Sequence, residues 1–99
     1  MICILNVVFS SQNDLDYNNL KSQLLAFNPS ISISPWKEYK GLKNSGEFNC
    51  SIELSKEEIN KFLTFLNNGW DGPFDDCICF GFNTKMFNPL VYQLTFMAY

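Results

Sequence analysis

Glu47-Phe48-Asn49-Cys50-Ser51-Ile52-Glu53-Leu54-Ser55-Lys56-Glu57-Glu58-Ile59 is the stretch in which the hydrophobic period of this 99-residue chain changes from two to about 3.6. Phe48, Cys50, Ile52 and Leu54 alternate with Glu47, Asn49, Ser51 and Glu53, the pattern of a strand with one buried and one wet face. A helix follows at once. Ser55 and Glu58 fit a capping box, and Leu54 with Ile59 fits the hydrophobic staple that closes around such a start. Ile59, Phe62, Leu63 and Leu66 supply the apolar stripe, and Glu57 stands four residues before Lys61, where a favourable pair forms. Asn67-Asn68-Gly69 ends the helix, with Gly69 expected in the left-handed cap position.

Working back from this transition, Lys40 to Gly46 reads as a turn. Ile31 to Tyr39 reads as an edge strand or bulge interrupted by Pro35. Asp14 is placed to cap a helix carrying Tyr17, Leu20, Leu24 and Phe27 and ending at Asn28-Pro29. Met1 to Ser10 is apolar on both sides, as expected of a central strand, and has neither the basic leader of a signal peptide nor the length of a membrane span. Working forward, Cys77 to Phe82 and Leu90 to Tyr99 read as a hairpin around Asn83 to Pro89. The order β-α-β-β-α-β-β predicts one α+β domain over residues 1–99. Its expected architecture is a two-layer sandwich, a ferredoxin-like βαββαβ unit with an added C-terminal strand. Two helices cover one face of such a sheet, so the other is open, paired with a second copy, or covered by a partner.

Composition narrows the chemistry. The chain has no histidine and no arginine. Histidine is the commonest general base, and arginine supplies the fork that grips phosphates, so hydrolase, nuclease and nucleotide-binding readings lose their usual residues. Seven lysines against ten acids give a net charge of -3, the wrong sign for binding nucleic acid through its phosphates. The cysteines at 3, 50, 77 and 79 read as reduced, buried apolar residues of a cytoplasmic protein. Cys77 and Cys79 are too close on one strand for a zinc knuckle, so neither metal nor cofactor is expected.

The segment Trp70-Asp71-Gly72-Pro73-Phe74-Asp75-Asp76 concentrates three carboxylates and two aromatics in a connection between a helix and a strand. It reads in two main ways, with a calcium or magnesium site on Asp71, Asp75 and Asp76 as a minor third that matches no calcium-loop pattern. As a recognition loop, Trp70 and Phe74 supply rigid contact area while Asp71, Asp75 and Asp76 steer toward a basic partner. As a plain connection, the two aromatics tuck over the core and the remaining residues make turns. The outward face bearing Glu47 and Glu53 is the next candidate contact surface.

With this loop, from Gly69 to Asp76, leading into a hairpin, the small acidic chain resembles the immunity proteins of bacterial polymorphic toxin systems, including contact-dependent growth inhibition. The resemblance is one of general character over the whole chain. It implies a non-enzymatic cytoplasmic protein that binds a cognate protein toxin, often a nuclease with a basic cleft, and blocks substrate entry. The alternative is a homodimeric ferredoxin-like domain that binds a small ligand or regulates, pairing its open sheet face. Membrane and nucleic-acid partners are not expected, and the chain is expected to be a monomer or a homodimer.

Overall fold

The computed structural model describes all residues from Met1 to Tyr99. Its elements run β1 (Ile2–Phe9), α1 (Asp14–Phe27), β2 (Ser32–Ile33), β3 (Lys37–Glu38), β4 (Gly46–Glu53), α2 (Lys56–Leu66), β5 (Asp76–Phe80) and β6 (Val91–Ala98). The strands form one antiparallel sheet in the order β2-β4-β1-β6-β5, with β3 also on the outer edge of β4. The molecule is a two-layer α+β sandwich. Its ferredoxin-like core is β1, α1, β2, β4, α2 and β6, and β3 and β5 are extra. The strand beyond that core is β5, at the sheet edge, and the longer β6 takes the inner place beside β1. Val91, Leu94, Phe96 and Ala98 of β6 all face the core.

Residues Cys3, Leu5, Val7 and Phe9 line the inward side of β1 and are almost fully buried. They join Tyr17, Leu20 and Leu24 of α1 and Ile59, Phe62, Leu63 and Leu66 of α2 in a single core of 21 buried residues. Burying one such aliphatic or aromatic side chain contributes roughly 1.5 to 3 kcal/mol, so this shared core sets the position of both helices. On the other side of β1 only Val8 is buried; Ile4 is half-buried and Ile2 is 51% exposed. The two-sided burial expected from the apolar run is therefore met at one residue. The helices lie on the opposite face.

Local signals behave as their chemistry dictates, with two displacements. Ser55 Oγ accepts from the Glu58 N–H (3.2 Å) and Glu58 Oε1 accepts from the Ser55 N–H (2.9 Å), completing the capping box. Leu54 and Ile59 are both buried at this start. At α1 the cap is Asn13, whose side chain accepts from the Asp16 N–H (2.8 Å), and Asp14 is the first helical residue. At the end of α2 the extended residue Asn67 closes the helix, and its buried side-chain oxygen accepts from the Gly69 N–H (2.6 Å). Gly69 is not in the left-handed region. Gly72, with φ of +108°, is the one glycine there, and a Cβ on it would press on the Asp76 carbonyl. Lys37 and Glu47 form the single ion pair of the molecule, so Glu57 and Lys61 do not pair.

The capping box depends on an ionised Glu58, whose carboxyl is held below its ordinary value by the Ser55 backbone N–H and then by the Ser55 hydroxyl. A lowered folded-state value means that its contribution is present above the ordinary glutamate range and is lost as pH falls through the folded value. Ser55→Ala is expected to cost about 0.5 to 2 kcal/mol, read as a lower urea midpoint with an unchanged slope. An unchanged midpoint would show that the cap carries no stability.

Candidate functional site

Two surfaces gather the residues singled out by the sequence: the loop from Trp70 to Asp76 and the open face of the sheet. The loop is built as a strap along the outer edge of β5. Asp71 N–H donates to the Ile78 carbonyl (2.8 Å), and Ile78 N–H donates back to Asp71 (2.9 Å). Asp76 N–H donates to Pro73 (3.0 Å), and Ala98 N–H reaches the Asp75 carbonyl (3.0 Å). Every one of these bonds uses backbone. The side chains of Asp71, Asp75 and Asp76 stay exposed and make no ion pair.

The two aromatics of the loop turn inward. Trp70 is half-buried, sets its ring edge-on to Phe96 at 6.3 Å between centroids, and donates its indole N–H to the Leu63 carbonyl (2.8 Å). Phe74 is half-buried beneath Lys56, whose Nζ lies 5.0 Å from the ring centroid. The tryptophan thus ties the end of α2 to the C-terminal strand, as the plain-connection reading requires, while the aspartates remain on the surface, as the recognition reading requires. The three carboxylates do not gather into a group able to hold a metal ion, and neither do the cysteines.

Those cysteines are free, buried and chemically quiet. Burial pushes the thiols of Cys50 and Cys79 up to about 12 and that of Cys77 up to about 11, and the charges of Asp76 and Asp75 add to the rise at Cys77. Burial likewise raises Cys3. Thiolate is the nucleophile and the ligand, so these sites are poorly suited to either role near neutral pH.

The open face is assembled by register. Glu53 pairs with Ile2, Ser51 with Ile4, Asn49 with Asn6 and Glu47 with Val8. On the other flank of β1, Met97 pairs with Ile4, Thr95 with Asn6 and Gln93 with Val8. Asp76, Ile78 and Phe80 of β5 extend the same rows. Directly paired residues share a face, so Glu47, Glu53 and Asp76 all stand on this surface, and Asp71 sits at its β5 edge. Trp70 and Phe74 belong instead to the strap and the core margin. At the polar end Asn6 Nδ2 donates to Asn49 Oδ1 (3.0 Å).

One feature of this face escaped the sequence reading. Phe80, Phe82 and Tyr92 form a triangle of rings with centroids 5.5 to 6.3 Å apart, and Phe82 is 73% exposed. The register shift between Val8 and Phe9 sets Tyr92 as an extra residue opposite β1, which puts it outward beside Gln93. The burial of Cys77 and Cys79 was a usable signal, because alternation then sends Ile78 and Phe80 to the other side.

Elsewhere, a shallow cleft of about 390 Å³ lies between α1 and the β2–β3 segment, lined by Asp14, Tyr17, Lys21, Ile33, Pro35 and Trp36. Its aromatic polar atoms are already used: Trp36 Nε1–H donates to Asp14 (2.8 Å) and Tyr17 O–H to the Ser34 carbonyl (2.7 Å). No buried side-chain nitrogen or oxygen in the molecule lacks a partner. No helix is long and apolar enough to cross a membrane. No family model matches the chain, and no curated protein or solved structure matches it.

The split character of the strap sets the expected behaviour of its variants. Trp70→Ala is expected to lower stability by about 2 to 4 kcal/mol, toward the lower part of the range for buried aromatic truncations. Replacing Asp71, Asp75 and Asp76 together by asparagine is expected to change it by no more than about 0.5 kcal/mol, as for ordinary surface positions. Urea unfolding checks both. A Trp70 variant as stable as the parent would remove the structural role assigned to that side chain.

Proposed function

We propose that this chain is a non-catalytic binding or regulatory domain of ferredoxin-like type that acts as a homodimer, pairing the open face of its sheet with a second copy. The observation that carries the reading is the uncovered apolar surface of that face: Ile2, Phe82, Met97 and Tyr99 are each at least 40% exposed, beside half-buried Ile4, Ile78, Phe80 and Tyr92. Contiguous apolar surface on this scale marks an interaction site.

The edges of the sheet offer less. Asp71 occupies the outer bonds of Ile78 on one side, and the other side presents only the two-residue strands β2 and β3 around Pro35. Short, capped edges disfavour growth by strand addition, which leaves the face. Its size suits a dimer. From the spacing of strands and residues it covers on the order of 500 Å². That is about a tenth of the chain's 5664 Å² of accessible surface, so two facing copies bury on the order of 1,000 Å², the lower end of a specific interface. Four buried free thiols suit a reducing compartment, and a cytoplasmic setting is part of the same proposal.

The expected outcome is a dimer by sedimentation equilibrium that Ile78→Lys combined with Met97→Lys converts to a monomer with an unchanged circular dichroism spectrum. A parent chain that stays monomeric at every accessible concentration would overturn the proposal.

A second reading rests on the strap. Three exposed carboxylates, Asp71, Asp75 and Asp76, stand on a backbone held by at least four hydrogen bonds, with no cation paired to them. Such a preorganised acidic surface fits an immunity-type inhibitor that docks on the basic cleft of a protein toxin. Under that reading the triple-asparagine variant associates more slowly with a basic protein toxin that the parent binds, and its association rate loses salt dependence. Equal rates for parent and variant at low and moderate salt would sink it.

A further inference from the structure

The outward charges of the sheet are few and unevenly placed. Glu47, Glu53 and Asp76 are its acids, with Asp71 at the β5 edge, and Lys37, paired in register with Glu47, is the one lysine on the outward side of any strand. Lys37 Nζ lies 3.5 Å from Glu47 Oε1, yet its side chain remains 72% exposed, so the ammonium retains room for a second carboxylate. Glu53 is exposed and unpaired at the far end of the same strand, on the order of 20 Å away at the usual rise per residue.

Two sheets packed face to face by a two-fold axis have two simple choices. An axis running along the strands exchanges the β4 side of the face with the β5 side. That keeps every residue at its own level along the strands, so Lys37 of one copy stays a strand length from Glu53 of the other, and the unpaired carboxylates gain no cation. An axis running across the strands, near the level of Ile4 and Asn6, keeps β5 over β5 and β4 over β4. β5 and β6 of one copy then meet β5 and β6 of the other, with Asp76 of each at the exposed β5 margin near Ile78 of the other. The same operation exchanges the two ends of β4, so the end bearing Lys37 lies over the end bearing Glu53.

Resting on the homodimer reading above, we infer that the two copies pair about an axis that crosses the strands, with Lys37 of each copy bonded to Glu53 of the other. The symmetry makes this contact twice per dimer. Each lysine then bridges Glu47 of its own chain and Glu53 of the second, which removes like-charge repulsion at both ends of the interface. Because isologous contacts are reciprocal, a charge change at either residue acts at two places at once.

The test is charge reversal followed by sedimentation equilibrium at low salt. Glu53→Lys and Lys37→Glu are each expected to weaken the dimer by about tenfold or more, and the double variant to recover to within about threefold of the parent. Both positions are exposed, and circular dichroism with urea unfolding verifies that each variant folds. Lys37→Glu also disturbs the contact with Glu47, so the rescue by the second change is the decisive readout. Single variants that dimerise like the parent, or a double variant no better than either single one, would overturn the arrangement while leaving the dimer in place. A monomeric parent would remove the dimer itself.

Discussion

β1 is hydrogen-bonded along its length on both sides, to β4 and to β6, and the rest of the structure depends on that double pairing. β4 precedes α2 in the chain and β6 follows it, so the amino-terminal strand joins the two parts that α2 separates. Its inward residues Cys3, Leu5, Val7 and Phe9 form the floor on which both helices rest. Moving β1 by one residue in register would exchange this row for Ile2, Ile4, Asn6 and Val8. That would place an asparagine in the core and phenylalanine in solvent. Burial on one side therefore holds the register of three strands together.

The open face follows from the same economy of elements. Two helices of 14 and 11 residues cover one side of the sheet and are used up in doing so. The uncovered side divides into a polar part on β4, where Asn6 and Asn49 bond each other, and an apolar part around β5, β6 and one end of β1. The bulge near Phe9 adds Tyr92 to the second part and completes the ring triangle with Phe80 and Phe82. The surface proposed for pairing is thus built mostly from strand residues, whose side-chain positions are well defined.

The strap from Trp70 to Asp76 shows how one segment can serve stability and surface chemistry without conflict. Its backbone satisfies the edge of β5, and Trp70 fills the margin between Leu63 and Phe96. Its carboxylates, which take no part in those contacts, are left in water. The motif is dense in both acids and aromatics, yet the two residue types divide between different jobs. This division is invisible in the motif, since it depends on Ile78 and Phe96 lying within reach.

Much of the fold was legible in the chain itself, because caps, staples and hydrophobic periods act over a few residues. The box of Ser55 with Glu58, the stripe of α2, the alternation of β4 and the hairpin of β5 with β6 all follow from such short-range chemistry. So did the placement of Glu47 and Glu53 on an outward face. Where a local signal had competitors the outcome shifted: Asn13 caps α1 in place of Asp14, and the buried amide of Asn67, held also by Thr84, closes α2 before Gly69. Strand order, the edge position of β5, the inward turn of Trp70 and the exposure of Ile2 and Phe82 were decided only by tertiary structure. Each depends on which distant segments compete for the same buried area, and that competition is settled by packing across the whole chain and not by neighbours in sequence.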